Sequence, residues 1–190
     1  MKLDRILPYA RKLLQIAVEK GSIVVDGTVG NGHDTLFLAN LVGEDGHVYG
    51  FDIQLEAIEN TTAKLKEHHV FDRVTLVNQS HSQLMNCIPE PVHGKIAAAI
   101  FNLGYLPGGD KQIVTQPDST ISAIEQLLKI MAPEGIIVVV IYHGHEEGAF
   151  ERDCLLAYVK TIDQQMAHVL SYRFLNQVNN PPFILAIEKR

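Results

Sequence analysis

A chain of 190 residues can hold one domain with a substantial core and is too short for two comfortable ones. Hydrophobic residues make up 46% and charged residues 20%, which excludes a disordered chain, and the longest apolar run, 136–141, is too short to cross a membrane. The net charge of −6 excludes a broad basic face that coats nucleic acid, although a local patch can still grip a small piece of RNA.

The first 20 residues and the two cysteines indicate the cellular compartment that we expect for this protein. Residues 1–20 carry charges throughout, so they predict no apolar signal segment. Cys87 and Cys154 lie far apart and lack the spacing of metal ligands. We therefore expect a cytoplasmic protein with reduced thiols, no membrane segment and no bound metal.

Predicted helices and strands alternate through the first two thirds of the chain. In chain order they are a helix over 3–19, a strand over 22–26, a helix over 33–41, a strand over 47–52, a helix over 55–68, strands over 73–78 and 95–101 with a short helix over 83–87 between them, a helix over 118–131, a strand over 136–142, a helix over 149–160, and strands over 168–175 and 183–188. This order predicts one α/β domain over 1–190, with residues 1–20 as an N-terminal helix and a mostly parallel sheet covered by helices on both faces. The last two strands are joined too closely for a crossover helix, so we expect them to pair antiparallel.

The turn after the first strand carries the clearest functional signal. That strand ends in Asp26, and a glycine-rich stretch ending at Gly32 leads into a helix. Glycines let the backbone approach a ligand closely, and the helix start offers free N–H groups. The second strand ends in Asp52, 20 residues beyond Gly32, where an acid can bind both hydroxyls of a ribose. The pattern predicts a site for an adenosine ligand.

Two classes of adenosine cofactor fit such a turn. The dinucleotide fingerprint has the order G-x-G-x-x-G, whereas this chain has G-x-x-G-x-G after an acid. Asp26 would repel a pyrophosphate but would attract the ammonium of S-adenosylmethionine. The sequence therefore favours the methyl donor.

The stretch Asp26-x-Thr28-x-Gly30-x-Gly32 resembles the first motif of class I methyltransferases, with Thr28 where that family usually has glycine. The resemblance implies a Rossmann-like sheet, mostly parallel with an antiparallel C-terminal strand. It also implies a set of residues that bind S-adenosylmethionine: Asp26, Gly27, Thr28, Gly30, Asn31, Gly32, Asp52, Gln54, Ser80, His81 and Asn102. Ser80 and His81 match the region that contacts the adenine, and a simple loop cap explains either of them equally well.

The sequence Asn102-Leu103-Gly104-Tyr105 follows the fourth strand and resembles the D/N-P-P-Y/F motif of enzymes that methylate amino nitrogens. Asparagine and the aromatic residue are kept, and both prolines are replaced. An amide oxygen can accept hydrogen bonds from the N–H groups of an amine and thereby orient the lone pair of the amine nitrogen. The ring of Tyr105 can lie against a flat base. Further candidates to line the base pocket or to relay a proton are Tyr142, His143 and His145.

Four separated motifs, DGTVGNGHDT, GFDIQ, FNLGYLPGGDK and YHGH, are similar to a family of small bacterial proteins described as "putative rRNA methylase". That family includes an enzyme that methylates the aminomethyl nitrogen of wobble 5-aminomethyl-2-thiouridine in the tRNA anticodon stem-loop. The resemblance implies this reaction for the present chain. It places substrate contacts on Leu103, Gly104, Tyr105, Gly109, Lys111 and His145.

Several alternatives stay open on the sequence alone. They are an rRNA methyltransferase, a small-molecule amine methyltransferase and an RNA-binding protein without catalysis. The cations Lys2, Arg5, Arg11 and Lys12 form either a local RNA patch or a solvated helix face. We also expect that a homodimer would enlarge the surface offered to an RNA stem.

Overall fold

The computed structural model describes residues 2–106, 108 and 113–190. The strands are β1 (Ile23–Asp26), β2 (His47–Phe51), β3 (Val74–Val77), β4 (Ile96–Leu103), β5 (Met131–Ile141), β6 (Ala167–Tyr172) and β7 (Phe183–Lys189). The α-helices are α1 (Ile6–Ala17), α2 (His33–Val42), α3 (Leu55–Glu67), α4 (Leu84–Cys87), α5 (Pro117–Ile130) and α6 (Glu146–Val159), with short 3-10 turns at Phe71–Arg73, His81–Gln83 and Glu90–Val92.

The strands form one seven-stranded sheet in the order β3-β2-β1-β4-β5-β7-β6. Strands β1 to β5 pair in parallel, and β7 runs antiparallel to both β5 and β6. The predicted Rossmann-like sheet and the antiparallel pairing of the last two strands are confirmed. Because the chain crosses from β3 to the other side of β1 to begin β4, a crevice opens at the carboxyl ends of β1 and β4, where sheets of this kind bind ligands.

Apolar clusters cover both faces of the sheet. Side chains alternate across the central strands, so that Val24 and Val138 join one cluster, with α1 and α2, while Val25 and Val139 join the other, with α5 and α6. Strands buried on both faces are apolar along their whole length, which is why they stand out in the sequence. No helix in the described part of the chain is long and apolar enough to cross a membrane.

Two differences from the predicted boundaries affect the crevice. Strand β4 runs two residues further than expected, so Asn102 and Leu103 belong to the strand and not to the loop after it. Helix α6 begins at Glu146, three residues before the predicted start, because Glu146 and Glu147 are acids in a first helical turn, where the helix dipole favours negative charge. The connection between β5 and α6 therefore spans only residues 142–145.

Other boundaries shift without moving the crevice. Helix α1 begins at Ile6 because the chain is extended at Arg5, and Pro8 falls in its first turn, where proline is tolerated. Strand β5 begins directly after α5, and its register shifts before Ile136, where the sequence predicted a turn and then the strand. Strand β6 ends at Tyr172, earlier than expected.

A buried acid on α6 fixes the segment that follows β4. The Glu151 side chain is only 2% exposed, and its carboxylate accepts hydrogen bonds from the hydroxyls of Thr120 (2.8 Å) and Thr115 (2.5 Å). The Thr115 hydroxyl also accepts from the N–H of Gly104 at 2.9 Å. Burial raises the pKa of Glu151, and the two hydroxyl donors oppose that rise. The acid therefore ties α5, α6 and the end of β4 together.

Thr120→Val is expected to lower the free energy of unfolding by about 1.5–3 kcal/mol, because it removes one donor from a buried carboxylate. Urea unfolding measures the change. Thr62→Val is the matched control, since Thr62 is a partly buried helical threonine on α3 for which the described residues provide no side-chain hydrogen bond. Equal losses in the two variants would contradict the role given to Thr120.

Candidate active site

A cavity of about 940 Å³ opens at the carboxyl ends of the central strands. It brings together most of the predicted site residues: Gly27, Thr28, Gly30, Asn31, Asp52, Gln54, Ser80, His81, Asn102, Leu103, Gly104, Tyr105, Tyr142, His143 and His145. Asp26 and Gly32 do not line it, and the predicted Gly109 and Lys111 lie outside the described residues. The volume suits a nucleoside-sized ligand together with a second flat group.

The glycine-rich loop follows β1 and forms one wall. A Cβ at Gly27 would lie 2.1 Å from Cε1 of Phe101, so only glycine lets the loop pass this ring. The N–H of Gly30 donates to Oδ2 of Asp52 at 2.9 Å, and the N–H of Gln54 donates to Oδ1 of the same carboxylate at 2.9 Å. Asp52 thus stands on the cavity wall with its orientation set by two backbone donors.

Gly32 has a structural role behind this wall. Its φ of 72° lies in the left-handed region, and a Cβ there would be 2.5 Å from the hydroxyl of Thr61. Gly32 starts α2 and lets that helix pack against α3. Gly32 is predicted to contact the ligand, but it does not line the cavity.

Asp26 also lies behind the loop. It is fully buried, and its carboxylate accepts hydrogen bonds from the N–H of Thr28 at 3.1 Å and the hydroxyl of Thr35 at 2.7 Å. Burial raises its pKa to about 7, against the opposing effect of the Thr35 hydroxyl. The expectation that Asp26 faces a cationic ligand directly needs correction, because its oxygens point at Thr28 and Thr35 and it holds the loop from behind.

Asn102 stands at the end of β4, where it meets the loop. Its backbone N–H donates to the hydroxyl of Thr28 at 2.7 Å, and its side-chain Nδ2 donates to Oδ2 of Asp34 at 3.0 Å. The Nε and Nη2 atoms of Arg11 donate to the other oxygen of Asp34, at 3.2 and 3.0 Å. The hydrogen bond to Thr28 gives a reason for threonine where related motifs have glycine.

Sequence reasoning missed two members of this cluster. Asp34 stands at the start of α2, where an acid is favourable for the helix alone, and Arg11 is one of the cations interpreted as a basic patch. The two residues and Asn102 lie on α2, α1 and β4, so no spacing along the chain links them. Only the packing of α1 beside the cavity brings them together.

His81 lies under the adenine end of the expected site. Its Nδ1 lies 3.0 Å from the carbonyl oxygen of Gly27 and its Nε2 lies 3.2 Å from the hydroxyl of Ser119. Burial lowers the pKa of this imidazole. The Ser80 hydroxyl accepts from the N–H of Ser82 at 3.2 Å, so Ser80 caps the short 3-10 turn and also lines the cavity.

The other end of the cavity is aromatic. Tyr105 and His145 meet edge to face, with ring centroids 5.8 Å apart. The Nε2 atom of His145 is buried and has no hydrogen-bond partner within the described structure. Burial raises the pKa of the Tyr142 phenol, and the negative charge of Asp34 raises it further.

His143 is held on both ring nitrogens. Its Nε2 lies 3.0 Å from the carbonyl oxygen of Pro181, and its Nδ1 lies 3.2 Å from Nη1 of Arg152. A carbonyl accepts and a guanidinium donates, so the ring carries its proton on Nε2. A proton relay through His143 would have to break one of these contacts.

Comparison with known proteins relates this site to one family. The model of the family described as "Putative rRNA methylase" matches residues 48–188. The chain belongs to this family. A protein of Clostridium thermocellum, described as a "putative rRNA-methylase", shares 42% identity, and the two chains cover each other completely with a TM-score of 0.96.

Two further relatives carry more specific descriptions. A protein of Streptococcus mutans, described as "a putative methyltransferase" and solved in complex with SAH (S-adenosylhomocysteine), shares 38% identity over 99% of both chains, with a TM-score of 0.88. The chloroplast tRNA (mnm5s2U34)-methyltransferase of Arabidopsis thaliana is 34% identical in an alignment of 180 residues that covers 90% of this chain. The chain spans 65% of the length of that plant protein.

The predicted basic patch on α1 is partly neutralised. Lys12 donates to Asp4 at 2.6 Å, and Arg11 pairs with Asp34, whereas Lys2 and Arg5 are exposed. Among the described residues, no group of three or more histidine, cysteine, aspartate or glutamate side chains could hold a metal ion.

Asp26→Asn should change how stability depends on pH. The pKa of the folded carboxyl is raised to about 7, so between pH 4 and 7 the folded state holds a proton that the unfolded state has lost. The contribution of Asp26 to wild-type stability therefore falls with rising pH in this window, by at most about 1.4 kcal/mol per pH unit, and asparagine removes this contribution.

Urea unfolding of both proteins from pH 4 to 8 measures this effect. The free energy of unfolding of the variant minus that of the wild type should rise from pH 4 to 7 and then level off. A difference independent of pH would show that the carboxyl titrates alike in both states.

Proposed function

We propose that this chain is an S-adenosylmethionine-dependent methyltransferase that acts on tRNA. Its reaction is methylation of the aminomethyl nitrogen of wobble 5-aminomethyl-2-thiouridine, which gives 5-methylaminomethyl-2-thiouridine. The observation that carries the proposal is the position of the Asn102 amide, at the end of β4 and beside the glycine-rich loop in one shared cavity. A neutral amine bound there would meet an acceptor next to the donor site.

The donor side of the cavity fits S-adenosylmethionine. The backbone of Gly27, Thr28 and Gly30 forms a wall that a ligand can approach closely, and Asp52 faces the cavity where a ribose would lie. Each Asp52 oxygen accepts one backbone hydrogen bond and keeps a second lone pair for a ribose hydroxyl. When bound, S-adenosylmethionine would supply a methyl group to the amine nitrogen and would leave as S-adenosylhomocysteine once its carbon–sulfur bond broke, and the methylated ammonium would release one proton to solvent.

The substrate side fits a planar base that carries an amine. Tyr105 is 40% exposed at the cavity, and its ring offers a face for a flat base. The oxygen of Asn102 holds the amine by accepting a hydrogen bond from one of its N–H groups. This hydrogen bond orients the lone pair of the amine nitrogen. Such alignment can supply much of the rate enhancement. A partly enclosed cavity disfavours the charged ammonium form, so a strong base is not required.

Nucleoside mass spectrometry tests the proposal. The protein is incubated with tRNA that carries 5-aminomethyl-2-thiouridine and with isotopically labelled S-adenosylmethionine, and one labelled methyl on that nucleoside is expected. Asn102→Ala should lower the rate about 100-fold while binding of S-adenosylhomocysteine persists. Asn40→Ala, an exposed asparagine on α2, is the matched control and should keep the wild-type rate.

Other outcomes of this experiment overturn the proposal. If the label appeared on rRNA supplied in parallel, or on a small amine, the proposed cofactor would stand and the proposed substrate would be wrong. If S-adenosylhomocysteine did not bind, the proposal that the protein is a methyltransferase would be wrong. The cytoplasmic location and the homodimer are parts of the same proposal, and light scattering on the purified protein tests the dimer.

A further inference from the structure

The Arg11–Asp34–Asn102 cluster has a geometry that the proposed reaction can use. The Asp34 side chain is 16% exposed, and its two oxygens have different partners: Oδ1 accepts from Arg11, and Oδ2 accepts from Nδ2 of Asn102. All three residues line the cavity. The cluster joins α1, α2 and β4 at the point where the amine is to be methylated.

An asparagine amide has two unlike ends. Its NH₂ group only donates hydrogen bonds and its oxygen only accepts them. A carboxylate only accepts, so Asp34 selects the orientation in which Nδ2 of Asn102 faces it. The oxygen of Asn102 is then the end available to a substrate amine. In the flipped orientation, the amide oxygen would face the Asp34 carboxylate, so that two acceptors would meet, and the NH₂ group would face the N–H donors of the amine, which would not be held.

Arg11 completes the arrangement. Its two nitrogens occupy Oδ1 of Asp34, which leaves Oδ2 for Asn102. The guanidinium also lies over the ring of Phe37, 5.0 Å from the centroid, so its position is supported from a second side. The ion pair further balances the charge of Asp34, and an unbalanced carboxylate would favour the ammonium form of the substrate, which has no lone pair to give.

We propose that Asp34 is a positioning residue for the methyl transfer, because it fixes the Asn102 amide with its oxygen toward the substrate amine, and that Arg11 holds Asp34 in place. This inference rests on the proposed function.

A double-mutant cycle between Asp34 and Asn102 tests the proposal. Asp34→Ala is expected to lower kcat about 10- to 100-fold, since a hydrogen bond to a charged group is lost. Its KM for tRNA and its affinity for S-adenosylhomocysteine should stay within about threefold of the wild-type values, because neither ligand contacts Asp34 directly in this account. In the Asn102→Ala background the same substitution should cost nothing further. Losses that multiply, or an unchanged kcat in Asp34→Ala, would overturn the proposal.

Asp4→Asn is the matched control. It breaks the other ion pair of the α1 region, between Asp4 and Lys12, and removes the same charge away from Asn102. The control should keep the wild-type kcat. Arg11→Met should move the acidic limb of the kcat–pH profile to higher pH, because the unbalanced carboxylate raises the pKa of the amine, and this shift should vanish when Asp34→Ala is added.

A second measurement does not depend on the substrate. In the protein without ligand, the side-chain ¹H–¹⁵N signals of Asn102 should shift and exchange faster with water in Asp34→Ala, and should stay in place in Asp4→Asn. If the wild type fails to methylate the tRNA, the substrate proposal fails, and the NMR result still decides the positioning proposal. Unchanged Asn102 signals in Asp34→Ala would overturn it.

Discussion

The hydrogen bond from the backbone N–H of Asn102 to the hydroxyl of Thr28, 2.7 Å long, joins the end of β4 to the glycine-rich loop after β1. These two segments come from the two sides of the point where the strand order reverses, and each carries half of the site. The bond fixes the distance between the wall that fits the methyl donor and the amide that is to hold the amine. Any displacement of one segment relative to the other would misalign the reacting groups, and such misalignment is costly.

The contacts behind this bond form a continuous polar chain: Asp26, Thr28, Asn102, Asp34 and Arg11. Asp26 is fully buried and Glu151 nearly so, and burial raises the pKa of both carboxyls. A buried acid is unfavourable unless donors compensate it. In this protein two donors lie on the loops beside the cavity, the N–H of Thr28 and the hydroxyl of Thr115, and the hydroxyls of two threonines on α2 and α5 supply the others. The buried carboxyls, which would lower the stability of the fold without these donors, therefore lie where the cavity walls need to be rigid.

Much of the fold could be predicted because the central strands are apolar on both faces and end in polar residues. Asp26 and Asp52 mark the ends of β1 and β2, and the close joint between β6 and β7 indicates antiparallel pairing. The end of β4 was placed too early because Asn102 follows an apolar run and resembles a loop residue. The true end of β4 is set by its pairing with the neighbouring strands β1 and β5, and the sequence alone does not show this pairing.

The site was only partly predictable for a similar reason. The glycine-rich loop and Asn102 belong to local motifs, so their types and spacing carry the signal. Arg11 and Asp34 reach the same cavity through the packing of α1 and α2, and their sequence neighbourhoods resemble a solvated helix and a helix start. Asp26 shows the opposite error: its type and place suggested a ligand contact, but it is fully buried, and its two oxygens accept hydrogen bonds from Thr28 on the loop and Thr35 on α2.

A crystal structure of the protein with S-adenosylhomocysteine would test this arrangement of the site directly. We expect the ribose at Asp52, the adenine near His81 and the sulfur atom facing the Asn102 amide, with the hydrogen bond between Asn102 and Thr28 intact. A ligand bound with its sulfur turned away from Asn102, or bound outside the crevice between β1 and β4, would contradict it.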